Sequence, residues 1–310
     1  GNQAGVIDRS SRIDPPDESA IVVRLGAAGC VFAEDEARLL VDAAGAGRDL
    51  AAMVDRRAAG EPLEYVLGWA EFCGRRISVE PGVFVPRRRT ELVVREAIRL
   101  STLSRQEPVV VDLCCGSGAI GLAVVTALVA DGVTRVTAEA HPAELHAVDL
   151  DPVAVGCARR NLAAVGGAPV GAVALGTYVY EGDLYEPLPA ALRGRVTVLI
   201  ANAPYVPTDS IGLLPPEARL HESRIALDGG TDGLDVLRRL TAEAPEWLAP
   251  GGHLLVETSD RQAPNMSDAM ARAGLIPRVA SAPEIGGTVV VGQRPIVAGR
   301  KSGRGMRRES

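Results

Sequence analysis

The residues best suited to chemistry are four at the end of a short apolar run: Asn202, Ala203, Pro204 and Tyr205. An asparagine side chain offers an acceptor oxygen and an amide donor, and the next backbone carbonyl adds a second acceptor. Pro204 restricts the turn beside that carbonyl, and Tyr205 supplies a flat aromatic face. Two acceptors beside a flat face suit a planar NH2 group, whose lone pair they can point at an electrophile. These four residues are therefore our catalytic candidates.

A second candidate site is the loop within residues 109–121, where a β-branched strand gives way to small residues and then to an apolar helix. Gly116 and Gly118 allow a tight turn and a close approach to a ligand, and the helix begins with unbonded N–H groups. Such a loop suits either a dinucleotide phosphate or the amino-acid part of S-adenosylmethionine. The vicinal cysteines fit the loop as small residues better than as a redox pair. The cofactor-binding candidates here are Asp112, Cys114, Cys115, Gly116, Ser117 and Gly118.

Two further acids follow the next strands along the chain. Asp149 ends a strand about one βαβ unit after the loop, where a carboxylate can accept both ribose hydroxyls of NAD or of S-adenosylmethionine. Asp151, before Pro152, is expected to be a helix N-cap instead. Asp183 and its apolar neighbour Leu184 follow a third strand and could bracket an adenine ring. The residues alone leave the two cofactors open.

The elements that must position these residues begin at Pro108, where short β-branched runs alternate with helices. This alternation predicts an α/β fold with a doubly wound, parallel sheet, whose carboxyl edge is where ligands bind. Residues 131–144 and 164–177 are interpreted as surface excursions. The predicted strands are residues 109–111, 146–148, 196–200, 253–256 and 288–291, and the predicted helices are residues 119–130, 151–162 and 234–248.

The front of the chain follows a different pattern. Residues 18–60 have helical periodicity, residues 63–86 contain glycines that predict turns and a short hairpin, and residues 90–100 return to a helix. We therefore expect four segments: a flexible tail (residues 1–17), a small mainly helical domain with a linker hairpin (18–80), an α/β domain (81–293) and a disordered basic tail (294–310).

The composition excludes several classes of function. A net charge of -6 does not attract nucleic acid, and no apolar run is long enough to span a bilayer. The single lysine, Lys301, excludes a phosphate-binding P-loop and a Schiff-base lysine in the core. Five cysteines without CxxC spacing and four histidines without ligand spacing predict reduced thiols and no metal site. Because the start of the chain lacks an apolar signal core, we expect a soluble, cytoplasmic protein without a membrane partner.

Five segments in the same order resemble the HemK-like glutamine N5-methyltransferases, which modify peptide-chain release factors. The family's catalytic tetrapeptide is Asn-Pro-Pro-Tyr, and residues 202–205 are Asn-Ala-Pro-Tyr. Residues 60–68, 84–91, 228–234 and 250–257 resemble further family segments, including the linker segment Pro-Arg-Pro-x-Thr-Glu. The resemblance extends over most of residues 58–293.

This resemblance implies a class I S-adenosylmethionine-dependent methyltransferase with a Rossmann-like, mostly parallel seven-stranded sheet. It implies S-adenosylmethionine as cofactor, S-adenosylhomocysteine as product, and a protein glutamine as acceptor, with a release factor as candidate partner. The small helical domain would recognise the substrate, and the enzyme is expected to be a monomer. By the same resemblance the tetrapeptide would hold the glutamine, and the cofactor would contact residues 114–118, Asp149, Leu184 and Asn202.

The sequence departs from the family at several positions. Ala203 stands where the family has a proline, Cys114 replaces a loop glycine, and Arg88 and Arg89 replace Pro and Glu. Two alternatives stay open. One is an adenine N6-methyltransferase acting on nucleic acid, which uses the same tetrapeptide, although residues 1–80 contain more acids than arginines and no target-recognition domain is evident. The other is a catalytically inactive protein that binds S-adenosylmethionine.

Overall fold

The computed structural model describes residues 17–45, 47–130, 143–164, 175–203, 211, 213–214, 227–231 and 233–296. Pro204 and Tyr205 lie outside the described residues, as do most of the two predicted tails. Arg294, the first residue of the predicted C-terminal tail, still pairs with the sheet: its backbone N–H donates to Gly252 O at 2.8 Å and its carbonyl accepts from Gly251 N at 2.9 Å. The paired chain therefore continues past residue 293.

The predicted helical region of residues 18–60 consists of three helices rather than one continuous segment. They are α1 (Glu18–Ala27), α2 (Ala33–Ala44) and α3 (Leu50–Ala58), followed by the short α4 (Leu63–Leu67). The Asp17 and Asp49 side chains cap α1 and α3 by accepting hydrogen bonds from backbone N–H groups. These helices bury a hydrophobic cluster of their own, which includes Ile21, Leu25, Leu40, Met53 and Val66. We call this part of the chain the helical unit.

An antiparallel hairpin follows, as predicted, and consists of β1 (Trp69–Phe72) and β2 (Arg75–Ser78). The side chain of Asn161 binds both the backbone N–H and the carbonyl of Ser78, the last residue of β2. The Ser78 backbone N–H donates to Asn161 Oδ1 at 2.9 Å, and Asn161 Nδ2 donates to the carbonyls of Ser78 and Ser117 at 3.0 and 2.8 Å. The hairpin is thus hydrogen-bonded to a side chain that also holds the glycine-rich loop.

The described residues form a second sheet of seven strands: β3 (Val109–Leu113), β4 (Glu144–Asp149), β5 (Gly176–Glu181), β6 (Val196–Ala201), β7 (Leu248–Glu257), β8 (Ile276–Ala282) and β9 (Gly287–Gln293). Their order in the sheet is β5-β4-β3-β6-β7-β9-β8. Strands β3 to β7 are parallel, and β9 runs antiparallel to both of its neighbours. The mostly parallel, doubly wound sheet predicted from the sequence is confirmed.

Helices cover both faces of the sheet. One face buries residues of α5 (Glu91–Leu103), α6 (Ala119–Ala130) and α7 (Pro152–Ala163), and the other buries residues of α8 (Asp235–Trp247) and α9 (Ala263–Arg272). Neither α9 nor β8 is predicted by the sequence pattern. The two predicted surface excursions overlap β4 and β5 at their ends, and residues 131–142 and 165–174 lie outside the described residues. Among the helices of the described ranges, none has the length and apolar character needed to cross a bilayer.

Candidate cofactor and substrate site

A cavity of about 350 Å³ opens at the carboxyl edge of the sheet. It lies at the end of β3, which stands between β4 and β6 in the sheet. The strand order reverses at this point, and doubly wound sheets bind ligands at such a switch point. The volume of the cavity falls within the range of small-molecule sites. The cavity brings together nine of the residues predicted from the sequence: Cys114, Cys115, Gly116, Ser117, Asp149, Asp183, Leu184, Asn202 and Ala203.

The glycine-rich loop is folded by three residues with left-handed backbone angles. Cys114 and Gly116 each have φ of 53°, and Gly118 has φ of 79°. The Cys115 N–H ties the loop to β4 by donating to Val148 O at 2.9 Å. A left-handed residue with a side chain costs roughly 1–2 kcal/mol, which accounts for a glycine as the family residue at position 114. Burial raises the pKa of both the Cys114 and Cys115 thiols, so neither is an activated thiolate.

Asp149 joins the end of β4 to this loop. Its Oδ2 accepts from Gly116 N at 2.8 Å, and its Oδ1 accepts from Asp151 N at 2.9 Å. Burial raises the pKa of the Asp149 carboxyl above its usual value, against the opposing effect of these backbone N–H donors. Each oxygen can accept a further hydrogen bond. Asp151 is the N-cap of α7, as predicted, because its side chain accepts from Val153 N.

Asp112 and Gly118 do not line the cavity among the described residues. Asp112 is fully buried beneath the loop, where its Oδ2 accepts from Gly121 N at 3.0 Å. Gly118 faces α7, because a Cβ built there would lie 3.3 Å from the Ala158 Cβ. The sequence places both residues in the loop but does not show their direction: they support the loop from behind.

The predicted adenine-side residues have a partner that the sequence does not indicate. Asp183 Oδ2 accepts a hydrogen bond from Arg239 of α8 at 2.7 Å, and both residues line the cavity. Leu184 beside them has φ of 53°, another left-handed residue. No motif marks Arg239, because only the fold brings α8 to the end of β5.

One wall of the cavity comes from the linker before α5. Phe84, Arg87, Arg89 and Thr90 line it, and the Arg87 guanidinium lies 5.1 Å from the centre of the Phe84 ring. Thr90 Oγ1 donates to Glu257 Oε1 at 2.9 Å, which fixes this wall to the end of β7. Burial raises the pKa of the Glu257 carboxyl. The sequence gives this segment only as part of a family resemblance, without a role in the site.

Asn202 and Ala203 follow directly after β6, whose six residues are all buried. Ala203 is 1% exposed, while Asn202 is partly exposed, and both line the cavity. The central strand thus delivers an amide side chain and a following backbone carbonyl to the same space as the loop and Asp149.

The residues present fit a nucleoside cofactor with a charged amino-acid end. Asp149 offers acceptors for a ribose diol, Leu150 and Leu184 offer apolar walls for a planar ring, and arginines meet a carboxylate. In the described ranges, no group of three or more His, Cys, Asp or Glu residues could hold a metal ion.

Sequence comparisons give close relatives, although no protein-family model matches the chain. It is 38% identical over 222 residues to the release factor glutamine methyltransferase of Geobacter sulfurreducens, covering 72% of this chain and 69% of that protein. It is 34% identical over 277 residues to the protein of that name from Bradyrhizobium diazoefficiens, covering 83% of this chain and 86% of the relative. A methyltransferase structure from Pyrococcus furiosus is similar at 16% identity and a TM-score of 0.46, over 73% of this chain and 91% of the other.

The chain has the strand order of the class I methyltransferase fold, with a cavity at the carboxyl edge of the sheet. Within that class, the chain belongs to the release factor glutamine methyltransferase family. The family resemblance predicted from the motifs is therefore confirmed, and the chain is assigned to a class of enzymes.

Proposed function

We propose that this protein transfers a methyl group from S-adenosylmethionine to the side-chain amide nitrogen, N5, of a glutamine in a peptide-chain release factor. The observation that carries the proposal is a single cavity that joins the glycine-rich loop and Asp149 to Asn202 and Ala203. The substrate class rests on the names of the relatives, which are release factor glutamine methyltransferases.

The cofactor side of the cavity has separate groups for separate parts of the ligand. Asp149 would accept the ribose hydroxyls, Leu150 and Leu184 would flank the adenine with Asp183 at its edge, and the loop residues 114–117 would receive the amino-acid end. When bound, this cofactor supplies an electrophilic methyl group on a sulfonium. S-Adenosylhomocysteine is then the product.

The substrate side holds a weak nucleophile in one orientation. An amide nitrogen is poorly nucleophilic because its lone pair is delocalised. Asn202 Oδ1 and the Ala203 carbonyl would accept the two N–H groups of the glutamine amide and so direct the nitrogen at the methyl group. A carbonyl is present whether residue 203 is alanine or proline, so the departure at Ala203 keeps this acceptor. Pro204 and Tyr205 complete the proposed site from outside the described residues.

The organisation of the chain is part of the same proposal. The helical unit and hairpin, residues 18–80, would recognise the protein substrate, and residues 81–293 would form the methyltransferase domain. The partner would be a protein with an exposed glutamine. The enzyme would act as a monomer in the cytoplasm.

The cofactor assignment is tested with Asp149→Ala. Loss of hydrogen bonds to a charged group should weaken S-adenosylhomocysteine binding by roughly 1.5–3 kcal/mol, measured by calorimetry. Glu181→Ala is the matched control. Glu181 stands opposite Asp149 in the register of β4 and β5, but its side chain is exposed and it is not among the cavity residues. Equal affinity in the parent and Asp149→Ala would remove Asp149 from the site.

The methyl-transfer assignment is tested with Asn202→Ala. Removing one preorganised acceptor should lower kcat on a release factor by roughly 10²–10³, while S-adenosylhomocysteine still binds. Asn265→Ala, an exposed asparagine of α9, is the control and should keep full turnover. Mass spectrometry should place the methyl group on one glutamine, and a release factor lacking that glutamine should stay unlabelled. Parent-level turnover by Asn202→Ala, or label found in nucleic acid, would contradict the proposal.

A further inference from the structure

The charged side chains of the cavity are divided between its two ends. Asp149 and Asp183 lie at the ends of β4 and β5, whereas Arg89 lies beside Glu257 at the end of β7. β4 and β7 are three strands apart in the sheet, a separation of about 14 Å at the usual strand spacing. The cavity therefore has carboxylates at one end, where Asp183 is paired with Arg239, and Arg89 at the other.

The proposed function places the cofactor along this axis, and the inference rests on it. The ribose stands between the adenine and the methionine part of the molecule. If the adenine lies by Leu184 and the ribose by Asp149, the methionine end extends toward β3, β6 and β7. That end carries a carboxylate, for which a guanidinium is a strong partner in a partly buried site.

Among the described residues, three arginines line the cavity: Arg87, Arg89 and Arg239. Arg239 is paired with Asp183 at the acidic end, at 2.7 Å. The Arg87 guanidinium lies over the Phe84 ring. Arg89 is the arginine placed beside β7, at the end where the methionine carboxylate would lie.

We propose that Arg89 binds the carboxylate of the cofactor's methionine end. Glu257 holds it there: Glu257 Oε1 lies 3.9 Å from Arg89 Nε and accepts from the neighbouring Thr90 Oγ1 at 2.9 Å. At 3.9 Å the contact between Arg89 and Glu257 is an ion pair rather than a hydrogen bond. Glu257 is 2% exposed, so it gives this wall a fixed anchor.

The test compares two ligands that differ in the group concerned. S-Adenosylhomocysteine carries the amino-acid part, and 5′-deoxy-5′-methylthioadenosine has the same adenine, ribose and thioether without it. Calorimetry on the full-length protein should show that Arg89→Ala weakens S-adenosylhomocysteine binding roughly 10- to 100-fold, the scale of a charge-assisted hydrogen bond. Affinity for the methylthioadenosine should change less than about twofold, and Arg89→Lys should restore part of the loss.

Arg88→Ala is the matched control, because Arg88 is the adjacent arginine, is exposed and does not line the cavity. It should leave both affinities unchanged. Unchanged S-adenosylhomocysteine binding by Arg89→Ala would overturn the inference alone, as would an equal loss for both ligands, which indicates a damaged cavity. A parent protein that binds neither ligand would overturn the proposed function together with the inference.

Discussion

Folding moves the Asp112 carboxyl from water to a fully buried position. It is 0% exposed, and among the described residues its Oδ1 is buried without a hydrogen-bond partner. Burial raises the pKa of Asp112 to about 7, with a smaller contribution from the nearby Asp149 charge, against the opposing effect of the Gly121 N–H. The folded protein therefore resists ionising this group, whereas the unfolded chain ionises it near its ordinary value.

This difference predicts how stability depends on pH. Between about pH 4 and about pH 7 the folded protein holds a proton that the unfolded chain has lost, so the Asp112 contribution to stability falls as pH rises through this interval. Asp112→Asn removes the titration while keeping an acceptor for Gly121 N. Urea unfolding should show that the parent loses roughly 1–3 kcal/mol more than this variant between about pH 5 and about pH 8. Equal losses in the two proteins would contradict the assignment.

At the level of single residues, the sequence predicts the groups with distinctive chemistry. The sequence marks the loop glycines, Asp149 and Asn202 as candidates, because residue type and position after a strand are enough to single them out. Arg239 and Glu257 are missed because their contacts join positions 56 and 167 residues apart, to Asp183 and Thr90. Direction is missed as well: Asp112 in β3 and Gly118 in the loop do not line the cavity.

At the scale of elements, Gly118, the residue before α6, lies against Ala158 of α7. The glycine has φ of 79°, and a Cβ there would come within 3.3 Å of Ala158. An added methyl group meets both a strained backbone and the side of a neighbouring helix.

Gly118→Ala should therefore destabilise the protein by roughly 1–3 kcal/mol, measured as the free energy of unfolding in urea. Gly156→Ala is the matched control in α7. Its nearest neighbour would be the end of the Arg160 side chain at 3.7 Å, so the same change should stabilise the helix by about 0.5–1 kcal/mol. Effects of the same sign at both positions would show that the packing at Gly118 is not the cause.

The sequence predicts elements well where one pattern is strong. Helix α6 spans Ala119–Ala130, as predicted. Its pattern is strong because most of its residues are apolar and buried against the sheet and the adjacent helices. Residues 263–282 carry no such signal: α9 begins with a proline in its first turn, and most of β8 is exposed at the edge of the sheet. Both elements are held mainly by what they pack against, which local sequence does not show.

At the scale of the whole molecule, the helical unit has its own cluster and its own buried ion pair. Arg57 Nε donates to Glu36 Oε1 at 2.5 Å, between side chains that are each about one-tenth exposed. Such a pair is costly to break, because the remaining charge stays in a poorly solvated place.

Glu36→Ala should destabilise the helical unit by about 3–5 kcal/mol but leave S-adenosylhomocysteine affinity unchanged, because the cavity residues begin at Gly82. Methylation of a release factor should show a raised KM if the unit recognises the substrate. Glu34→Ala, an exposed carboxylate on the same helix, should alter neither. Calorimetry and steady-state kinetics measure the two effects separately, and a parallel loss of cofactor binding would show that the two parts fold as one.

Asn161 connects the hairpin to the glycine-rich loop. Its side chain binds backbone groups of both segments. It binds the N–H and carbonyl of Ser78 and the carbonyl of Ser117, and uses neither serine hydroxyl. Positions 78 and 117 can therefore change identity during evolution without losing these contacts, whereas position 161 cannot. In proteins descended from this sequence, the contact between the hairpin and the loop would therefore persist wherever Asn161 is retained.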